Sequence, residues 1–433
     1  MDPFVVGIIG IAVLLILLFT GFPIGAAMAL VGFVGFAILI DLEAAFGILK
    51  SVPYSTFADY NLSVIPLFIL MGAFAFKAGL SNDIFDAIYK WIGHFRGGIA
   101  QATIVACACF AAISGSSLAT AATLGAVALP EMRKYKYNDA LATGAIAAGG
   151  SIGILIPPSV ILIIYGIITE QSIGKLFLAG FIPGIMEAVF YLFTIWYLTF
   201  FKPHHGPKGP KFSLSERMAS LLKTWEVLVL FIVVIGGIYA GVFTPTEAAG
   251  VGAFGAFAFA FARGRLTYKV FKDSLFQTCR TSGMLFLIIM GAMIFGYFLS
   301  VSQLPSNMAT IVSELSINRY AILMIILVIT LLLGCVMDSM AIVLLTIPVF
   351  YPVIVQLGFD PIWFGILVVR VTEMGLITPP VGMNVFIIKG ISGVPVKTIF
   401  RGVYPHLIAD AIQVAFLIMF PQIIMFLPNM MDY

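Results

Sequence analysis

Long apolar stretches alternate with short polar breaks along almost the entire chain, and that pattern predicts a bundle of helices in lipid. Crossing a bilayer as a helix takes about 17–25 mostly apolar residues. The first run, Val5 to Ile40, exceeds this length, and Gly21-Phe22-Pro23 divides it into two spans. No basic residue precedes Lys50, so the run lacks the charged start of a signal peptide. Further runs lie at 63–80, 98–130, 140–170, 176–201, 224–243, 246–262, 281–300, 320–357, 362–390 and 403–429. Two of them, 98–130 and 320–357, are interrupted by polar tips, Ser114-Gly115-Ser116-Ser117 and Gly334-Cys335-Val336-Met337-Asp338-Ser339. The arms beside each tip have about 13–18 residues, short for a full crossing. Both read as re-entrant helical hairpins. The expected fold is an all-α polytopic membrane protein with about ten crossing helices and two such hairpins.

Composition agrees. Of 433 residues 61% are hydrophobic and 10% charged, with a mean hydropathy of +1.11, whereas a soluble domain carries about 25% charged residues. That excludes a soluble enzyme, a nucleic-acid binder and a disordered chain. The net charge of +3 says little, because in a membrane protein the placement of charge carries the information. With the N-terminus outside and ten crossings, 18 of the 23 basic residues fall on the inside, Lys50, Lys175 and Arg319 on the outside, and Lys77 and Arg370 within spans. The positive-inside rule therefore favours both termini outside. Cys107, Cys109, Cys279 and Cys335 show no metal-ligand or disulfide spacing and read as small hydrophobes.

The chain matches itself at an offset of 222 without a gap from Ser117 to Pro183. Pro130, Pro157, Pro158 and Pro183 fall on Pro352, Pro379, Pro380 and Pro405, Gly153 on Gly375, and Ser117 on Ser339. Identity is low, 10 of the 73 positions from Ile113 to Ile185, but every proline of the first window lands on a proline. Weak internal symmetry of this kind marks transporter repeats. The halves are residues 1–201 (hairpin 98–130, broken helix 140–170) and 224–433 (hairpin 320–357, broken helix 362–390). The basic, proline-containing stretch 202–223 is a cytoplasmic linker. Five crossings and one hairpin per half make the two halves inverted relative to each other.

Non-helical backbone at membrane depth is tolerated where it is buried in protein or lines a cavity. Each half needs such backbone twice, at the hairpin tip and at the Pro-Pro break. The tips present helix N-termini, which favour an anion. The breaks, Gly153 to Pro158 and Gly375 to Pro380, free carbonyls for a small hard cation. One tip facing one break in each half makes two cation sites around one anion site. A plainer reading also stands, in which Ser116-Ser117 and Asp338-Ser339 only cap their helices. Arg370, Glu373 and Asp338 are intramembrane charges and hence functional candidates, although Arg370 equally suits an ion pair that holds the bundle. Glu187 and Asp410 stand isolated and receive no role. His94, His204, His205 and His406 lie near the predicted cytoplasmic boundary or linker. An intramembrane serine hydrolase built on Ser114 to Ser117 would therefore lack its base. The glycine-rich patches lack the strand–turn–helix setting of a nucleotide loop.

Three segments carry a family resemblance: Ile113-Ser114-Gly115-Ser116-Ser117 with Ala119-Thr120, Gly241-Val242-Phe243-Thr244-Pro245-Thr246-Glu247-Ala248, and Glu373-Met374-Gly375-Leu376-Ile377-Thr378-Pro379-Pro380-Val381-Gly382-Met383-Asn384. With them the whole chain resembles the large membrane (M) subunit of tripartite ATP-independent periplasmic (TRAP) transporters. The resemblance implies an elevator-type secondary transporter of the bacterial inner membrane that imports organic anions such as sialic acids or C4-dicarboxylates with two or more sodium ions. It implies two partners, a small membrane Q subunit and a periplasmic substrate-binding protein. Because the chain begins at the first M span, a separate Q chain is expected. Carried over by motif, one sodium site uses Ser114, Ser117, Gly153, Ile156 and Pro157, and the other Gly334, Gly375, Thr378 and Val381. Substrate lies near Ser116, Pro158, Asp338, Ser339, Pro380 and Asn384, with Asp338 neutralised by sodium or Arg370 or turned away. The alternative is a stand-alone sodium–dicarboxylate carrier of related fold.

Overall fold

Many helices in this chain start where a short polar side chain can accept from the first free N–H groups. Asp2, Asp41, Ser116, Asn138, Ser159, Ser172, Asp338 and Asp360 all cap in this way. A computed structural model describes residues 2–314 and 317–431; the expected halves therefore extend one residue beyond it at Met1 and two at the C-terminus. No strand occurs among the described residues. The elements are α1 (Pro3–Phe19), α2 (Ile24–Leu39), α3 (Leu42–Ala58), α4 (Val64–Lys77), α5 (Leu80–Ile92), α6 (Gly98–Ser114), α7 (Ser117–Lys134), α8 (Asp139–Ser151), α9 (Val160–Thr169) and α10 (Ile173–Phe201). After them come α11 (Leu214–Leu221), α12 (Trp225–Tyr239), α13 (Pro245–Ala262), α14 (Tyr268–Val301), α15 (Leu304–Glu314), α16 (Arg319–Gly334), α17 (Ser339–Gln356), α18 (Pro361–Gly375), α19 (Met383–Ser392), α20 (Val396–Met419) and α21 (Gln422–Met425).

Among the described residues five helices are long and apolar enough to cross a bilayer: Tyr60–Lys77, α10, α14, α17 and α20. A sixth results if α11 and α12, bent by 43°, act as one span. Seven further apolar helices, including α1, α2, α16 and most of α6, have 10–17 residues. Sequence apolarity found most of these elements but missed α3, α5, α11 and α15. In α5 the buried Leu80, Ile84, Phe85 and Ala87 share the helix with Ser81, Asn82, Asp83, Asp86 and Lys90, so its average polarity hides it.

The starts of α7 and α17, and those of α8 and α18, are separated by the 222 residues of the sequence match. The corresponding elements interleave. Helix α9 packs on α17 while α19 packs on α7, and α8 packs on α20 while α10 packs on α18. Each half therefore buries its short helices against the other half. Glycine permits the closest crossing: a Cβ on Gly402 would overlap the Ala140 carbonyl, and one on Gly144 the Gly402 backbone. One apolar cluster gathers residues of α1, α2, α4, α9, α12–α14 and α16–α18, and a second those of α5–α8, α19 and the first part of α20.

The 202–223 stretch is docked rather than loose. The Gly97 and Asn138 N–H groups donate to the Gly206 and His205 carbonyls at 2.8 and 2.9 Å. Trp91 Nε1 donates to the Arg217 carbonyl at 3.2 Å.

The segment Gly241–Ala248 has a structural purpose. Gly241 takes a positive φ of 67°, Pro245 occupies the first turn of α13, and Thr244 and Glu247 form a reciprocal capping box. Replacing Thr244 with alanine is expected to cost about 1 kcal/mol, read as a lowered thermal unfolding midpoint.

His406, expected near the cytoplasmic boundary or linker, is fully buried in α20, its ring edge-on to Tyr191 at 5.1 Å. Its Nδ1 is 3.1 Å from the Gly402 carbonyl one turn back, and such burial is not registered by a linear hydropathy reading.

Candidate functional site

The first tip is a tight turn between α6 and α7. Gly115 takes a positive φ of 56°, which an L side chain rarely adopts, and Ser116 then caps α7 by accepting from the Ala119 N–H. Thr120 Oγ1 lies 2.8 Å from both the Ser114 hydroxyl and the Ser116 carbonyl. The first break follows α8: a short 3-10 turn at Ile152–Ile154, irregular backbone through Pro158, then Ser159 capping α9. Tip and break are in contact. A Cβ on Gly153 would lie 3.1 Å from Thr120 Oγ1 and 3.3 Å from the Ser116 carbonyl oxygen, and one on Gly115 would lie 3.1 Å from the Pro158 carbonyl oxygen. Ile156 and Pro157 are buried.

The second half repeats the arrangement with different residues. Asp338 caps α17, its Oδ1 accepting from the Met340 and Ala341 N–H groups at 2.9 and 3.3 Å. Gly334 and Gly375 meet backbone to backbone: a Cβ on Gly334 would fall 2.9 Å from the Gly375 Cα. The Gly382 N–H donates to the Cys335 carbonyl at 3.1 Å, which ties the second break to its tip. Thr378 donates its hydroxyl proton to the Met374 carbonyl at 2.6 Å, which leaves its oxygen lone pairs for another partner. Val381 is half-buried beside it. Both Pro-Pro peptides, Pro157-Pro158 and Pro379-Pro380, are cis.

The two tips meet at one carboxylate. Glu373, fully buried in the last turn of α18, accepts from Ser117 Oγ on one oxygen and from Ser339 Oγ at 2.7 Å on the other. Both tips also line a cavity of about 760 Å³. Ser114 to Ala119 and Val336 to Met340 line it, together with Leu18 and Gly21–Gly25 at the α1–α2 turn, residues of α4, and Gln277, Thr281 and Met284 of α14. Among the described residues no lysine, arginine or histidine lines it, and the one charged wall residue is Asp338.

Arg370 lies one turn before Glu373 but faces elsewhere. Its guanidinium pairs with Asp410, lies 3.3 Å from Glu187, and donates to Gln413 at 2.8 Å. Glu187 also accepts from Ser151 at 3.0 Å, and the Ser151 hydroxyl lies 3.1 Å from that of Tyr191. All these side chains are buried. Glu187 and Asp410 are thus not isolated, and Arg370 does not neutralise Asp338. Their separation by 40 residues or more along the chain hid the pairing.

A family model described as the tripartite ATP-independent periplasmic transporter, DctM component, matches residues 11–423. The chain belongs to this family. A C4-dicarboxylate TRAP transporter large permease protein, DctM, of Pseudomonas aeruginosa is 37% identical over 377 residues, 87% of this chain and 88% of that protein. A sialic acid TRAP transporter large permease protein, SiaM, of Vibrio cholerae is 34% identical over 415 residues, 96% of each chain. An isethionate TRAP transporter permease protein, DctMQ, of Oleidesulfovibrio alaskensis is 32% identical over 86% of this chain and 59% of its own length. In fold the chain is similar to the crystal structure of the Alcanivorax borkumensis YdaH transporter. The TM-score is 0.59 at 15% identity, covering 98% of this chain and 100% of that one.

As a TRAP DctM-family member the chain is a multi-pass membrane transport protein and not an enzyme. Of the residues that the TRAP resemblance assigns to cations, the structure groups Ser114, Ser117 and Gly153 at the first tip, with Ile156 and Pro157 behind them. It groups Gly334, Gly375 and Thr378 at the second, with Val381 adjoining. Of those assigned to substrate, Ser116, Asp338 and Ser339 line the cavity. Pro158 is buried with its carbonyl toward Gly115, and Pro380 is exposed outside the cavity wall. Asn384 is fully buried and donates to the Ala147 carbonyl at 3.2 Å. Thr120, Gln277 and Thr281 were not singled out for this TRAP permease, although Thr120 stands within a family segment.

Proposed function

We propose that the chain is the large permease subunit of a sodium-coupled TRAP transporter importing an organic anion across a bacterial inner membrane. The observation that carries this reading is the charge of the cavity. Its wall holds the carboxyl of Asp338, with that of Glu373 behind both tips, and among the described residues it holds no basic side chain. Beside these carboxyl groups an anion draws on the helix N-termini of the two tips and gains further from cations held next to it. The donor set next to each tip suits a small hard cation: glycine backbone at Gly153 and Gly375, the Ser114, Ser117 and Thr378 hydroxyls, and freed carbonyls.

The relatives named above handle C4-dicarboxylates, sialic acid or isethionate, all anions, so a carboxylate or sulfonate is the expected cargo. A periplasmic binding protein delivers it and a small Q subunit braces the permease. The DctMQ relative, longer than this chain, supports a Q partner. Two inverted halves, residues 1–201 and 224–433 joined by the 202–223 linker, move a hairpin-bearing transport domain against the remaining helices. Both termini face the periplasm.

The test is uptake of succinate or N-acetylneuraminate into proteoliposomes holding this chain, its Q partner and the binding protein. A sodium gradient is expected to drive uptake, and uptake that follows a proton gradient alone would sink the proposal. Omitting the binding protein separates the alternative, since a stand-alone sodium–dicarboxylate carrier continues to transport.

A further inference from the structure

We infer that Glu373 is a positioning residue that orients the hydroxyls of both hairpin tips at once, Ser117 on the cation side and Ser339 on the cargo side. The inference rests on the sodium reading above and deepens it. Ser117 and Ser339 are the first residues of α7 and α17 and occupy equivalent positions, 222 residues apart. Each donates to a different oxygen of the one carboxylate. Glu373 itself stands two residues before Gly375, in the backbone that packs against the second tip.

Each oxygen of the Glu373 carboxyl accepts one serine proton. The N-termini of α7 and α17 both open toward that carboxyl. Arg370 is committed to Asp410, Glu187 and Gln413 and offers Glu373 no hydrogen bond. Both serine protons are therefore drawn to Glu373, and the lone pairs of both oxygens turn away from it, free for a cation or for a donor in the cavity. One buried group thus holds a proposed sodium ligand and a proposed cargo contact in the same acceptor state, and links the two sites through its own rigidity.

Glutamine at this position keeps the shape and reverses part of the pattern. Its single oxygen accepts from one serine, while its amide donates to the other and uses up a lone pair there. In the purified chain, the variant Glu373→Gln is expected to raise the half-saturating sodium concentration by about tenfold, the loss of one buried hydrogen bond. The readouts are the sodium-induced rise of the thermal unfolding midpoint against potassium at equal ionic strength, and sodium-driven uptake. The midpoint in potassium stays close to that of the wild type. The double variant Ser117→Ala with Glu373→Gln is expected to be no weaker for sodium than the weaker single variant, because both changes remove the same oriented hydroxyl.

Unaltered sodium dependence in Glu373→Gln overturns the inference. So does a lowered midpoint in potassium with the sodium response intact, which marks a merely structural staple. So do additive losses in the double variant. A wild type indifferent to sodium sinks the sodium reading and the inference together, whereas a responsive wild type with an unaltered variant sinks the inference alone.

Discussion

Replacing Arg370 with methionine is expected to destabilise the protein by about 3–5 kcal/mol, the usual cost of stranding a buried charge. Methionine fills much of the same volume, so little of the loss comes from packing. The loss arises because Glu187 and Asp410, both fully buried, are left facing each other without a counter-charge. Three helices meet at this point: α10 from the first half and α18 and α20 from the second. Helix α10 is further tied in through the Gln413 amide, which donates to the Pro183 carbonyl at 2.7 Å. The effect should appear as a fall in the thermal unfolding midpoint of the detergent-purified protein and in the yield of monodisperse material. Adding Glu187→Gln and Asp410→Asn to the same chain removes the stranded charges and is expected to recover most of the loss. If Arg370→Met alone unfolds at the wild-type temperature, the cluster does not hold these helices.

The second large effect concerns the contact between Gly334 and Gly375. A Cβ on Gly375 falls 2.5 Å from the Gly334 Cα and 2.6 Å from its carbonyl carbon. These are backbone atoms, so no side chain can swing aside to make room. Gly375→Val is expected to force the second tip away from its break. Overpacking of this kind costs about 3 kcal/mol at the upper end of its range, or about a hundredfold in the population of the correct geometry. Initial uptake rates in proteoliposomes should fall by about that factor, and a valine variant transporting at the wild-type rate would show that the close approach is dispensable.

Much of the site was legible in the sequence because it recurs. The Pro157-Pro158 and Pro379-Pro380 pairs, Gly153 with Gly375, and Ser117 with Ser339 stand at one offset, and a repeated irregularity is hard to dismiss as a local kink. Glu373 was visible as an intramembrane charge, but its role was not: the equivalent position in the first half is Ser151, so the repeat carried no sign of it. Asn384 fell into the substrate set through its place in a family segment, yet its side chain turns to the Ala147 carbonyl in the other half. The 241–248 segment points the other way. Its residues were legible as a motif, and their work is to start α13.

From the sequence alone followed the membrane setting, the helical class, most apolar helices, and the tips and breaks. These depend on composition, on local glycine and proline geometry and on periodicity, all of which are properties of short stretches. The pairing of elements from opposite halves was decided only in three dimensions. Helix α9 lies on α17, α19 lies on α7, and α8 crosses α20 at Gly144 and Gly402. Tertiary structure also decided which charges meet. Arg370 reaches Glu187 across the two halves, and Glu373 reaches Ser117 across 256 positions. A charge buried among helices takes whichever partner packing brings within hydrogen-bond reach, because an unpaired one costs too much to keep. Distance along the chain has no bearing on that choice.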